Sequence, residues 1–142
     1  MVKIGLLILL LVPIRICTYA QTGKVNIEVK GIDLKAGGIL HVAIFEKANF
    51  PKTGKHTLGW SKGINGATMQ VTFEQVPIGQ YAIAVFQDKD QNKKLNTNFF
   101  GYPIEPMGFS NDAKLKFGPP SFDDAKIIVA QDQTLNLVIH LH

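Results

Sequence analysis

Apolar and polar residues alternate strictly through Val25, Ile27 and Val29, opposite Asn26 and Glu28. They alternate again through Ala67, Met69, Val71 and Phe73, opposite Thr68, Gln70, Thr72 and Glu74. A period of two sends successive side chains to opposite sides of an extended chain, so both segments are strands with one buried and one wetted face. Residues 39–45 (ILHVAIF) and 81–86 (YAIAVF) are nearly continuous apolar runs. Both are too short and too rich in β-branched and aromatic residues for helices, and they suit central strands covered on both faces. Residues 126–130 and 135–141 complete the set, the latter with Leu135, Leu137, Ile139 and Leu141 on one face. No window carries a helical period that competes with this pattern.

Six or seven short strands separated by Gly37-Gly38, Pro77-Ile78-Gly79 and Gln131-Asp132-Gln133 predict an all-β fold. The expected architecture is an antiparallel Greek-key β-sandwich of immunoglobulin-like or prealbumin-like type, with about seven strands and one long aromatic and Pro-rich loop. In the corner at residues 76–81, Pro77 fixes φ, Gly79 accepts positive φ and Tyr81 opens a central strand.

Composition enters once the first 20 residues are set aside. Fifteen of them are apolar, with Lys3 ahead of an unbroken run over residues 4–12 and Thr18-Tyr19-Ala20 as a small-residue exit before Gln21. This is the pattern of a cleaved signal peptide, residues 1–20, ahead of a single domain over residues 21–142 that is exported to the periplasm or secreted. The apolar run is far short of the roughly 20 residues that span a bilayer, so the mature chain is expected to have no transmembrane segment. Cys17 follows Arg15 and Ile16, which does not suit a lipidation signal, and its loss with the leader leaves a domain without disulfides. Without Lys3 and Arg15 the chain holds 13 basic and 11 acidic residues, too balanced for a nucleic-acid binder.

Two connections are long. Residues 46–66 contain Phe50, Pro51 and Trp60; residues 98–125 contain five of the nine Phe, together with Pro103, Pro106, Pro119 and Pro120. Loops of this length in a small domain are functional or self-packed. Trp60, Phe100, Tyr102, Phe109, Phe117 and Phe122 are therefore candidates for a ligand surface, as stacking platforms for a small molecule or glycan, with packed cover over the sandwich as the alternative.

Residues 88–96 (DKDQNKKLN) place oxygen side chains at relative positions 1, 3, 5 and 9: Asp88, Asp90, Asn92 and Asn96. This is the spacing by which an EF-hand-like loop wraps Ca²⁺, with apolar Leu95 at position 8. Position 12 is Phe99 where such a loop has Glu, position 6 lacks Gly, and the lysines give the nonapeptide a net charge of +1. A weak Ca²⁺ loop and an Asx-rich turn closed on its own backbone both remain open. His140 and His142, two apart on a strand, form a weak metal pair without a third ligand. His41 sits in an apolar strand as a satisfied, partly buried side chain, and His56 carries no signal. The standard nucleophile, zinc-hydrolase and phosphate-loop signatures are absent, although His41, Glu105, Ser110, Ser121, Asp123 and Asp124 have the chemistry to form a site were they to converge.

Residues 38–45, 77–88, 92–96, 100–105 (FGYPIE), 108–111 (GFSN) and 117–125 (FGPPSFDDA) together resemble the bacterial exported family known as domain of unknown function 2141. The resemblance covers nearly all of residues 25–141. It implies a small exported β-sandwich, similar to prealbumin-like and carboxypeptidase-regulatory-like domains, and no established activity. The family pattern Asp-Glu-Asn-Gly-Asn-Gly-Lys-Leu-Asp follows the central strand; here Lys93 stands for a Gly and Asn96 for the final Asp. The functional expectation is a binding or structural module of the cell envelope, with its surface built by residues 88–98 and 99–122. A small-molecule or glycan binder and an enzyme of unknown type are the alternatives.

Overall fold

The alternating residues named above take the side that their pattern predicts, except Ala67, which precedes the strand and is exposed. Val25, Ile27 and Val29 are fully buried, as are Leu40, Ile44, Ile83 and Val85, so two sheets close on one another face to face. The computed structural model describes residues 20–142; the signal peptide expected over residues 1–20, with Cys17, lies outside the described residues apart from Ala20. Eight strands follow in order: β1 (Thr22–Lys30), β2 (Ile39–Phe45), β3 (Leu58–Gly63), β4 (Thr68–Pro77), β5 (Gly79–Asp88), β6 (Met107–Phe109), β7 (Lys126–Val129) and β8 (Thr134–His140). A four-residue helix α1 (Phe122–Ala125) and two 3₁₀ turns, Lys47–Asn49 and Ser110–Asp112, complete the described elements. None of the described helices is long and apolar enough to cross a membrane.

The first sheet runs β4-β1-β8 and the second β3-β2-β5, with the far edge of β5 shared by β6 and β7. The fold is the expected sandwich, with three differences in detail. The β1–β8 ladder is parallel, pairing Lys24 with Thr134 through Lys30 with His140. Strand β3 lies inside the connection expected over residues 46–66. Its residues Gly59, Ser61, Lys62 and Gly63 are exposed, because an edge strand presents too little apolar surface to show a period. Strand β6, only three residues long, lies inside the connection expected over residues 98–125.

β6 pairs Ala84–Phe86 of β5, and β7 pairs Gly79–Ala82, which leaves Ile83 between the two half-strands. Ser110 splices them. Its fully buried hydroxyl accepts from the Ile83 N–H at 2.9 Å and donates to the Ala125 carbonyl, supplying in the gap what a continuous strand would supply from its backbone. Two glycines permit close approaches. Gly38 (φ +93°) turns the chain into β2 where a Cβ would strike the Asp88 carbonyl. Gly108 lets β6 lie against the carbonyl of His140.

Gln87, inward-facing and fully buried, accepts from the Asp33 N–H and donates to the carbonyls of Asp33 and Gly37 at 2.8 Å. One amide thereby fixes the β1–β2 connection. At the other sheet, Asp112 accepts from the His140 N–H at 3.0 Å and pairs with the His140 ring at 2.9 Å, covering the free edge of β8. Burial raises the Asp112 pKa, but the two hydrogen bonds from His140 and the charges of His140 and His142 outweigh it and hold the carboxyl below its ordinary value.

Two measurements follow. Ser110→Ala leaves two buried backbone groups without partners and is expected to lower stability by about 2–4 kcal/mol in urea unfolding; a loss under about 0.5 kcal/mol would remove the splice from the account. Because the folded-state pKa of Asp112 is depressed, its contribution is present above the unfolded value near 4 and is lost as pH falls through the folded value. Asp112→Asn is thus expected to flatten the acid limb of the stability–pH curve below about pH 4.

Candidate functional site

The outer face of the second sheet has a floor set by register. Gly59 of β3, Ala43 of β2 and Ala84 of β5 lie side by side in one row, which Phe109 of β6 continues. The next row is Ser61, His41, Phe86 and Met107. Small side chains in the first row leave a trough. The two long connections wall it, giving an open cleft of about 1060 Å³, at the upper end of the range for small-molecule sites.

The first wall is anchored by Phe50, whose ring meets Phe45, Phe109 and Phe122 edge-on at 5.9, 5.8 and 6.1 Å. Phe109, Phe122, Met107 and Ala125 form a second apolar core around it, outside the sandwich. His56 closes the β3 side: its ring lies on Gly59, where a Cβ would meet Nε2 at 2.6 Å. The second wall is a tight turn over residues 98–102. Asn98 Oδ1 accepts from the N–H groups of Phe100 and Tyr102, both at 3.0 Å, and Thr97 bridges Pro103.

The aromatic residues expected at a ligand surface divide into three groups. Phe100, Tyr102 and Phe117 stand exposed on the rim of the cleft. Phe109 and Phe122 are buried in the second core, so the long loop is both packed cover and cleft wall. Trp60 pairs with Val42 and packs its side chain against the inter-sheet core, while its strand borders the cleft.

His41 lies on the floor. Its ring stacks on Phe86 at 4.8 Å, with Nδ1 2.7 Å from Ser61 Oγ and Nε2 3.3 Å from Asp88 Oδ2. Both nitrogens are engaged and one face is covered, so the imidazole is a fixed polar group in an apolar trough. Ser110, Ser121, Asp123 and Asp124 do not converge with it. Ser110 is the buried splice; Ser121 caps α1 by accepting from the Asp124 N–H at 3.2 Å; Asp123 faces Lys47 and Lys126. His140 and His142 line a separate depression of about 400 Å³ together with Asp112.

At the end of β5 the strand's alternation turns Gln87 inward and Asp88 outward, where Asp88 nucleates the Asx turn. Asp88, fully buried, accepts from the N–H groups of Asn92 at 3.2 Å and Lys93 at 2.7 Å. Asp90 Oδ2 accepts from the side-chain amides of Asn92 and Asn96 at 2.9 and 2.8 Å. The four residues picked out by spacing thus meet in one place, hydrogen-bonded to one another. Glu105, which that spacing does not include, joins them. Its buried carboxylate accepts from the N–H groups of Lys89 and Asn96, both at 2.9 Å. Carboxylate oxygens of Asp88, Asp90 and Glu105 lie within 4.8 Å of one another, a set of hard oxygen donors suited to Ca²⁺. Burial pushes the Asp88 pKa up, but the hydrogen bonds from Lys93 and His41 outweigh it and keep the carboxyl ionised below its usual range. Gln91 and Lys93, at the two positions where the resembled pattern has Gly, adopt φ of 60° and 64°. The turn keeps a glycine backbone without its glycines, which costs on the order of 1 kcal/mol at each position.

Lys93→Gly is accordingly expected to raise unfolding stability by about 1 kcal/mol, and a decrease would count against strain at that residue. Ca²⁺ at about 10 mM is expected to raise the melting temperature, and Glu105→Gln to abolish the increment; no shift in the parent chain would leave the turn to its own hydrogen bonds.

Comparison with curated proteins and with solved structures returns no match. A family profile described as an uncharacterized protein conserved in bacteria, DUF2141, matches residues 27–136. That span runs from within β1 to within β8 and takes in both long connections, the cleft and the carboxylate turn, so the chain belongs to the bacterial family DUF2141.

Proposed function

We propose that the domain is an exported binding module of the bacterial cell envelope that holds a small, largely apolar molecule in the cleft over its second sheet. The observation that carries this reading is the trough of about 1060 Å³ between two anchored loops, floored by Ala43 and Ala84. The neighbouring row fills the same face with the larger side chains of His41, Phe86 and Met107, so the space lies over the alanines. Apolar residues dominate the lining; its polar side chains are His41 and Ser61 on the floor and Thr53, His56, Thr97, Tyr102, Lys93 and Lys116 around it. That balance favours an apolar body with one polar end over a glycan, whose many hydroxyls need many partners. Export rests on the leader pattern of residues 1–20, with the mature chain beginning at Gln21.

The neutral fluorescent probe N-phenyl-1-naphthylamine is expected to bind with saturable enhancement and to change the emission of Trp60, the single tryptophan, which borders the cleft. Ala43→Leu, filling the trough from the outward side of β2, is expected to weaken binding at least about tenfold with little change in melting temperature. Undiminished binding would place the probe elsewhere and end the cleft reading. For export, fractionation of the native host followed by N-terminal sequencing is expected to give a periplasmic or secreted chain starting at Gln21. A cytoplasmic chain that keeps Lys3 would overturn it.

A further inference from the structure

We propose that the rim of the cleft docks on the surface of an anionic lipid bilayer. Phe99 and Phe100 are 97% and 89% exposed and Phe117 is wholly so. Soluble domains scatter single apolar side chains over their surfaces but rarely gather large aromatic ones at the tips of adjacent loops. Here the gathering is ordered. Phe99 and Phe100 meet edge-on at 5.6 Å at the apex of the turn over residues 98–102, which Asn98 closes with hydrogen bonds to Phe100 and Tyr102. Phe100 and Phe117 border the same cleft from two separate stretches of the long connection.

The charged side chains that line the cleft have one sign. The cleft is lined by Lys93 and Lys116 and by no aspartate or glutamate, and among the described residues neither lysine takes part in an ion pair. In the adjoining turn Asp88 is fully buried and occupied by His41 and by backbone N–H groups, and the exposed Asp90 accepts from the side-chain amides of Asn92 and Asn96. Aromatic rings at the level of the acyl boundary, with lysines beside them at the level of the phosphates, are the elements of interfacial binding to acidic lipid. A second copy of the chain would cover the rings but would bring the same lysines into opposition, which argues for the lipid surface as the occupant. Docked in this way, the cleft opens toward the membrane, from which an apolar molecule can enter without crossing water.

The test uses the full chain in flotation with vesicles of phosphatidylcholine alone and with about 30 mol % phosphatidylglycerol, at low and about 0.5 M salt. Expected are binding to the acidic vesicles, collapse of the preference at high salt, and at least about tenfold weaker binding for the combined Phe99→Ala, Phe100→Ala and Phe117→Ala variant. Every replaced ring is exposed, so an unchanged melting temperature separates docking from folding, and the variant shares the parent's leader. Lys93→Gln with Lys116→Gln is expected to remove the preference for phosphatidylglycerol. Equal flotation of the parent and the Phe variant, or no flotation of the parent with the acidic vesicles, would overturn the proposal, and dimerisation in sedimentation velocity would then assign the rings to a second copy of the chain. Binding of the naphthylamine probe in lipid-free solution tests the cleft separately.

Discussion

Seven residue pairs join β2 to β5, from Ile39 with Asp88 to Phe45 with Ala82, and most of what the domain can do is arranged along this ladder. The two strands are central, so their side chains face two interiors. Leu40, Val42, Ile44, Ile83 and Val85 go inward and close the sandwich. His41, Ala43, Ala84 and Phe86 go outward and make the floor on which the loops are built. Because the period is two, a slip of one residue would exchange these sets, putting His41 and Asp88 into the core and emptying the cleft of its shape. Core burial therefore fixes the site: the same register that hides the isoleucines aligns the alanines.

The outer layer depends on this floor without copying its regularity. One aromatic ring, Phe50, ties the first connection to three other phenylalanines, and one hydroxyl, Ser110, holds together a strand that the chain makes in two pieces. The interruption between β6 and β7 gives the chain room for α1 and for residues 113–121, which form part of the cleft wall. A continuous edge strand would have satisfied β5 equally well, but it would have left the sheet without that stretch of its cover.

How much of this was legible from residues alone depends on whether the signal was local. Strands β1, β2, β4, β5, β7 and β8 announce themselves by alternation or by continuous apolar runs, because each buries at least one full face. β3 does not, since four of its six residues are Gly, Ser or Lys at an edge, and β6 is too short to carry a period. The parallel pairing of β1 with β8 is a choice between partners that are equally patterned, and no single strand encodes it. The carboxylate turn was visible in the spacing of Asp88, Asp90, Asn92 and Asn96, whereas Glu105 reaches it only because Thr97 bridges Pro103 and folds the chain back. The division of the phenylalanines into buried and exposed was invisible, since Phe99 and Phe109 differ in neighbours and not in kind. One clue lay in plain view: Ala43 and Ala84 are small residues at outward positions of strands that are otherwise large, and small residues facing out of a central strand mark space.

The parallel ladder between β1 and β8 also orders events in time. β1 is the middle strand of its sheet, held on one side by β4 and on the other by β8, yet it is made first and β8 last. The sheet cannot be completed until residues 134–140 have left the ribosome, so a growing chain stays open for as long as it is being made. The two edges of this sheet thus come from the middle and the end of the chain, and only the complete domain can close it.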